Sequence, residues 1–309
     1  MFDPREFGNR PWMTEFAQAP ATLIFDDFVR VYFATRPAPS SDSQYVSYTG
    51  FADFDRTDLT KVLSVSKEPI LLLGGLGTFD EFGIYPTSLI RDGTDVIAYY
   101  GGWTRCESVP YNVAIGMARS TDGGRSFAKA GPGPVLSYGI DEPMTVSGPK
   151  IRRFHDTLYM WYVAGLRWTV SDGRPESIFK IRMATSKDGI SWVRVGRNLI
   201  PDVLEADECQ ASPDVFELDG SYHMLFSYKF GSGFRNTDRG YRIGYAHSDD
   251  LVHWTRNDSM AGIQPSSDGG WDGQSVAYPH VFKLDGRLWL LYLGDEVGRY
   301  GFGLAVHSS

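Results

Sequence analysis

Cysteine is nearly absent. Cys106 and Cys209 are the only two in 309 residues, which excludes a disulfide framework and leaves two free, buried thiols as the expectation. No run approaches the roughly 18 apolar residues of a membrane span. The first residues, M-F-D-P-R-E-F-G, lack the basic start and apolar stretch of a secretory signal, so the cytoplasm is the expected compartment. Positive charge is in deficit: 30 Lys and Arg against 38 Asp and Glu give a net charge of −8. That balance argues against nucleic acid or a membrane as the partner and leaves neutral polar molecules such as carbohydrates. There is no P-loop, dinucleotide fingerprint, C-x-x-C pair, H-E-x-x-H or G-x-S-x-G elbow. The six histidines are scattered, and His247 and His253 flank a turn, so no zinc site is expected.

What is present is repetition. Pro20, Pro86, Pro149, Pro213 and Pro279 recur 63 to 66 residues apart, each preceded by a short segment, often acidic. Each is followed by a strand-like run, a turn and a second run, as in D-V-F-E-L-D-G-S-Y-H-M-L-F-S-Y. Asp-Gly pairs between alternating hydrophobic runs signal hairpins, here at Asp92-Gly93, Asp219-Gly220 and Asp285-Gly286, with Asp26-Asp27 and His155-Asp156 in matching places. A third run carries Ala118, Ala184 or Ala246, a serine two places on (Ser120, Ser186, Ser248), an acidic turn and an aromatic (Phe127, Trp192, Trp254). The serine and aspartate are expected to bond the turn backbone while the aromatic pins the outer strand. Arg119, Arg182 and Arg242, on these third strands, are expected to form ion pairs between units.

Five copies of one antiparallel unit predict an all-β, five-bladed β-propeller with four-stranded blades, spanning 1–309 as a single domain. An apolar fraction of 42% supports a core of that size. The chain ends on what matches the third strand of the fifth copy, and Met1–Trp12 has no other assignment. The N-terminal segment is therefore expected to close the last blade, hiding an edge.

In such a ring the approaches to the five innermost strands converge on one funnel. They carry Glu15, Asp80, Glu81, Asp141, Glu142, Asp207, Glu208 and Asp272. Crowded carboxylates raise one another's pKa values, which suits chemistry that needs one acid protonated and another ionised. The plainer reading is that these residues cap strand starts and turns. Five places before the prolines stand Glu15, Glu81, Met144, Glu208 and Gln274. Glu208, beside Cys209 and Ala211, is the first candidate for general acid. Glu15, Asp80 and Glu81 are candidates for base, nucleophile or pKa modulator, and Asp272 beside Trp271 for the same work. Trp271, Asp141 and Glu142 are candidate substrate contacts, as are Trp103, Trp168 and Arg235 on three long loops, 103–111, 167–176 and 230–241. His280, directly after the fifth proline, either orients a substrate hydroxyl, holds a water, ligates a central ion or is a packed core histidine.

The segments A-H-S-D-D-L-V-H-W (246–254) and E-C-Q-A-S-P-D-V-F (208–216) resemble the S-x-D-L-x-x-W turn of glycoside hydrolase families 32 and 43 and the acid-bearing segment of family 32. W-M-T-E (12–15) is similar to the nucleophile segment of the latter. The chain as a whole resembles the five-bladed propeller glycosidases of families 32, 43, 62, 68, 117 and 130. The resemblance implies a three-carboxylate site in the funnel, with base or nucleophile in blade one and the acid in a later blade. It also exposes a departure. Those families keep catalytic carboxylates one or two residues before the strand proline, and here Gln18-Ala19, Ile84-Tyr85, Ser147-Gly148, Ala211-Ser212 and Ala277-Tyr278 are all non-acidic.

The leading expectation is a glycoside hydrolase-like enzyme using two carboxylates across a glycosidic bond. The alternatives are a glycoside phosphorylase, a non-catalytic carbohydrate-binding propeller, or a scaffold that binds another protein. No cofactor is expected; a central calcium is compatible with the fold but nothing in the residues calls for it.

Overall fold

The computed structural model describes residues 2–7, 10–39, 45–205, 207–235 and 238–307. Met1, Gly8, Asn9, Ser308 and Ser309, assigned above to the closing strand and the fifth copy, lie outside them, as do Asn236 and Thr237 of the third long loop. Five antiparallel sheets follow one another along the chain. Blade one holds β1 (Glu15–Ile24), β2 (Phe28–Arg36), β3 (Tyr48–Asp55) and β4 (Val62–Val65); blade two holds β5 (Gly83–Asp92), β6 (Asp95–Arg105), β7 (Tyr111–Ser120) and β8 (Ala128–Lys129). Blade three holds β9 (Val146–Phe154), β10 (Thr157–Ser171), β11 (Arg174–Ser186) and β12 (Val193–Arg194). Blade four holds β13 (Cys209–Leu218), β14 (Ser221–Lys229), β15 (Arg242–Ser248) and β16 (Thr255–Arg256). Blade five holds β17 (Ala277–Leu284), β18 (Arg287–Leu293) and β19 (Phe302–Val306).

The ring is closed at its centre. β1 packs against both β5 and β17, β5 against β9, β9 against β13 and β13 against β17. Five apolar clusters fill the five blade junctions, from Leu23, Tyr32 and Ile84 between blades one and two to Phe33, Phe54 and Phe282 between blades one and five. Each sheet buries both faces against its neighbours, which explains the aromatic richness of the middle strands. Closure of the last blade follows expectation in a reduced form. Phe2 and Phe302 exchange backbone hydrogen bonds of 2.9 and 3.1 Å as a single bridge, and the Phe2 ring sits 5.0 to 5.8 Å from those of Phe7, Phe33, Phe54 and Phe302. Burial of aromatic surface, more than strand pairing, holds this end.

Hairpin turns fall as read at His155-Asp156, Asp219-Gly220 and Asp285-Gly286, each pair with positive φ. In blade two the pairing of Asp92 with Asp95 puts the turn one residue later, at Gly93-Thr94. The serine–aspartate turns form as expected: Asp122, Asp188 and Asp250 accept two backbone N–H groups each, and Phe127 and Trp254 are buried beneath. Arg119 and Arg182 instead pair within their own blades, with Asp92 and Asp95 and with Glu142, and Arg242 bonds backbone carbonyls. Cys209 is buried and free; Cys106 is also free but exposed, against expectation, because it lies beyond the end of β6. No helix among the described residues is long and apolar enough to cross a membrane.

Candidate functional site

Proline has no N–H to give the sheet ladder, so each innermost strand breaks register where its proline stands. The breaks lie at Gln18/Ala21, Tyr85/Thr87, opposite Trp161/Val163, at Ala211/Asp214 and at Ala277/His280. The residue before the proline bulges, with φ of 52° at Ala19, 56° at Gly148, 48° at Ser212 and 52° at Tyr278. Glycine takes this conformation freely, whereas Ala19, Ser212 and Tyr278 each hold roughly 1–3 kcal/mol of backbone strain. Strained positions thus ring the channel at one level.

Above that ring opens a cavity of about 430 Å³ on the axis. Tyr85, Gly148, Ser212 and Tyr278 from the bulges line it, together with Trp103, Tyr111, Phe179 and Tyr241 from higher on the blades. Arg36 and Arg105 complete the wall, and none of the described lining residues is a carboxylate. Burial pushes the Tyr85 phenol up and those of Tyr241 and Tyr278 well up, so all three stay protonated donors. Below the ring a smaller space reaches Lys150.

The floor is a polar knot built from residues that follow the prolines. The Thr22 N–H donates to His280 Nε2 at 3.0 Å, which puts the ring proton on Nδ1, 2.6 Å from Asp214 Oδ2. Arg152 donates to Asp214 Oδ1 at 2.6 Å, and the Lys150 ammonium lies 3.5 Å from Oδ2. Burial alone would raise Asp214, but Arg152, Lys150 and His280 outweigh it and hold the carboxyl well below its usual range. His280 is pushed down to about 4 by burial and by the neighbouring Lys150. Both ring nitrogens are engaged and a cation already stands beside them, so the knot does not fit a central ion. His280 is thus buried and hydrogen-bonded through both ring nitrogens beneath the funnel.

The acids of the approach segments lie elsewhere. Asp80 accepts the Tyr100 hydroxyl at 3.0 Å and pairs with Lys129 at 2.5 Å. Glu142 accepts the Tyr162 hydroxyl at 2.7 Å and pairs with Arg194 at 2.9 Å. Asp272 accepts the Tyr292 hydroxyl at 2.9 Å. Glu208 pairs with Arg256 at 2.5 Å and accepts the N–H groups of Val203 and Leu204, while Arg256 stacks on Tyr228. Each acid is thus joined to the second or fourth strand of its own blade. The signal was in the sequence: each of these four has a tyrosine twenty residues later, and in three the pair is bonded. Glu81 caps Gly77, Asp207 pairs with Arg167, and Asp141 is exposed.

Glu15 differs. Twenty residues on stands Thr35, whose hydroxyl bonds the Glu15 carbonyl; the carboxylate meets Arg299 at 3.2 Å through Oε1, while Oε2 is buried with no partner. Glu15 also lies opposite Arg36 in the sheet, beside the cavity wall.

Of the expected substrate contacts, Trp103 lines the cavity and donates Nε1–H to Ser47 at 2.7 Å. Trp168 packs edge-on to Tyr111 at 5.4 Å, and Arg235 pairs with Glu176. Trp271 instead packs on Tyr292, away from the axis. The segment 167–176 is no loop: β10 and β11 continue through it to a tight turn at Asp172-Gly173, with Glu176 opposite Thr169. Tyr85, Tyr278, Arg36, Arg105 and Tyr241 were not singled out. The first two sit directly before a proline, so position alone marked them.

No protein-family model matches the chain. Among solved structures it is similar to one described as a BT0996 RGII complex (TM-score 0.75, 18% identity, covering 98% of this chain and 90% of that protein). A thermostable family-43 glycoside hydrolase gives a TM-score of 0.69 at 16% identity, covering 98% and 93%. A structure from the GH130 family of mannoside phosphorylases, whose glycoside hydrolases are described as targeting β-1,2 mannosidic linkages in Candida mannan, gives 0.67 at 14%, covering 96% and 85%. The resemblance to five-bladed propeller glycosidases thus holds for the fold. In sequence, the chain is 33% identical over 300 residues to the uncharacterized proteins MT1551 and Rv1502 of Mycobacterium tuberculosis strains CDC 1551 and H37Rv, covering 97% of this chain and 95% of each relative. With that identity across nearly the whole length of both, this chain belongs to the family of MT1551 and Rv1502.

Proposed function

We propose that this glycosidase-like propeller binds carbohydrate in its axial funnel, and that binding, rather than cleavage between two funnel carboxylates, is its activity. One observation carries the reading: four of the five residues directly before the prolines line the cavity, yet its described wall is aromatic, hydroxylic and cationic with no acid. Faces of Trp103, Tyr241 and Tyr278 suit the apolar faces of a sugar ring, and phenol and serine hydroxyls suit its rim. The acids Asp80, Glu142, Glu208 and Asp272 then serve as staples that tie each strand approach to its own blade. Fold likeness to glycoside hydrolases supports the ligand class and leaves the chemistry to the site. Calorimetric titration against a glycan panel, with cleavage followed on the same panel, tests the reading. Binding without turnover, abolished by Trp103→Ala or Tyr278→Ala, is expected; turnover lost in Glu208→Gln with the fold intact would overturn it.

Glu15 favours a second reading. Its unpartnered Oε2, and Glu176 next to the lining residue Ser177, flank the cavity from blades one and three. A hydrolase or phosphorylase would draw its two carboxylates from this pair, and loss of turnover in both Glu15→Gln and Glu176→Gln would establish it.

A further inference from the structure

We infer that the funnel selects a sugar carrying a compact oxyanion, a carboxylate or a phosphate, held by Arg36 and Arg105; this rests on the reading of the funnel as a carbohydrate site. In a protein of net charge −8, the wall holds two guanidinium groups and no described acid. Neither arginine forms an ion pair with a described carboxylate, although the nearby rim cations do: Arg235 with Glu176, Arg167 with Asp207, Arg299 with Glu15. The Nε of Arg36 and the Nε of Arg105 are both buried without a hydrogen-bond partner. A buried donor left unmade is costly, and a guanidinium edge is shaped to give two parallel bonds to a carboxylate or phosphate.

The two side chains are held ready rather than free. Arg36 stacks on Phe16 at 4.5 Å and on Tyr45 at 5.0 Å. Arg105 stacks on Phe82 at 4.2 Å and donates to the Tyr45 carbonyl at 3.0 Å. Tyr45 therefore touches both, drawing cations from blades one and two to one side of the cavity. Arg36 also donates through Nη2 to Gln18 Oε1 at 3.3 Å. Stacking and one bond thus fix each fork while Nη1 of each makes no bond to a described residue, and little side-chain entropy remains to be lost on binding. In the same wall, the Tyr278 and Tyr241 rings supply the surface for the uncharged part of the sugar.

The test is calorimetric titration of the full chain at low ionic strength with three probes: a methyl hexoside, the matching methyl hexuronide and a hexose phosphate. At least one anionic probe is expected to bind about tenfold or more tighter than the methyl hexoside, weakening with added salt. Whichever anionic probe binds tighter identifies the oxyanion. Arg36→Gln and Arg105→Gln should each erase that preference, read as the ratio of anionic-probe to hexoside affinity, while Arg36→Lys should restore part of it. Equal binding of all three probes to the wild-type protein overturns the inference alone, with no variant needed. Preference persisting in both Gln variants also overturns it. Failure of every probe to bind the folded protein removes the carbohydrate reading itself and the inference with it.

Discussion

Replacing Glu208 by glutamine separates a structural acid from a catalytic one. The carboxylate is fully buried, its partner Arg256 is 2% exposed, and it accepts the N–H groups of Val203 and Leu204 at 2.9 and 3.0 Å. An amide removes the charge opposite Arg256 and turns an N–H₂ towards a donor. Stripping one partner from a buried pair costs about 3–5 kcal/mol; because Arg256 keeps Asp258 at 2.8 Å, the lower end, about 3 kcal/mol, applies. At roughly 2.1 cal/mol/K per residue, cooperative unfolding of 309 residues carries about 0.65 kcal/mol/K, so the melting temperature should fall by about 5 °C. Circular dichroism melts measure the fall, and titration with a bound glycan at 20 °C below the variant's midpoint, roughly four times the predicted shift, measures the site. Affinity within about twofold of wild type is expected, a difference of no more than ~0.4 kcal/mol. A variant that melts within about 1 °C of wild type yet loses ligand or turnover refutes the structural assignment and restores Glu208 as the general acid.

Tyr162→Phe removes a hydroxyl donor 2.7 Å from buried Glu142, which keeps Arg182 and Arg194, and should cost about 2 kcal/mol in urea unfolding; no change would show that the staple is idle. Phe2→Ala opens the aromatic cluster that closes blade five and should cost about 3 kcal/mol, with hydrogen exchange speeding first in β19. Unchanged protection there would mean that the bridge does not hold the ring shut. His280 stays neutral in the folded state down to about 4, while the unfolded ring titrates near 6.5, so the unfolded chain binds the extra proton between those values. Stability should therefore fall by about 1.4 kcal/mol per pH unit as pH drops across that window, and the part above about pH 5, where carboxylates are largely silent, isolates it. Below the unfolded value of Asp214, near 3.9, its depressed pKa adds a further loss as pH falls. A flat stability profile from pH 6.5 to 5 would refute the buried neutral imidazole.

Much of the architecture was legible because it is periodic. A proline that breaks a ladder, a turn pair that reverses it and a serine–aspartate turn that pins an aromatic are local devices, each written in a few adjacent residues. Even the displaced turn at Gly93-Thr94 moved by one residue without changing the hairpin. The candidate site was legible only in part. Trp103 was found because it is a tryptophan in a segment read as a rim loop, although β6 runs through it to Arg105, whereas Tyr85 and Tyr278 were passed over because the register was read for acids. Asp80 and Glu208 carried the right charge at the right rim, but which way such a side chain turns depends on Lys129 and Arg256, 49 and 48 residues away in the sequence.

The sequence by itself determined the number of blades, their strands and the place of the axis, since repetition along the chain becomes rotation about a centre. It also determined that the pre-proline positions carry no acid. Tertiary structure alone decided what the remaining charges do. Ion pairing and hydrogen bonding are matters of distance between strands far apart in sequence, and they tied four approach acids each to its own blade. The same folding left Arg36 and Arg105 facing the cavity without a described carboxylate to meet them.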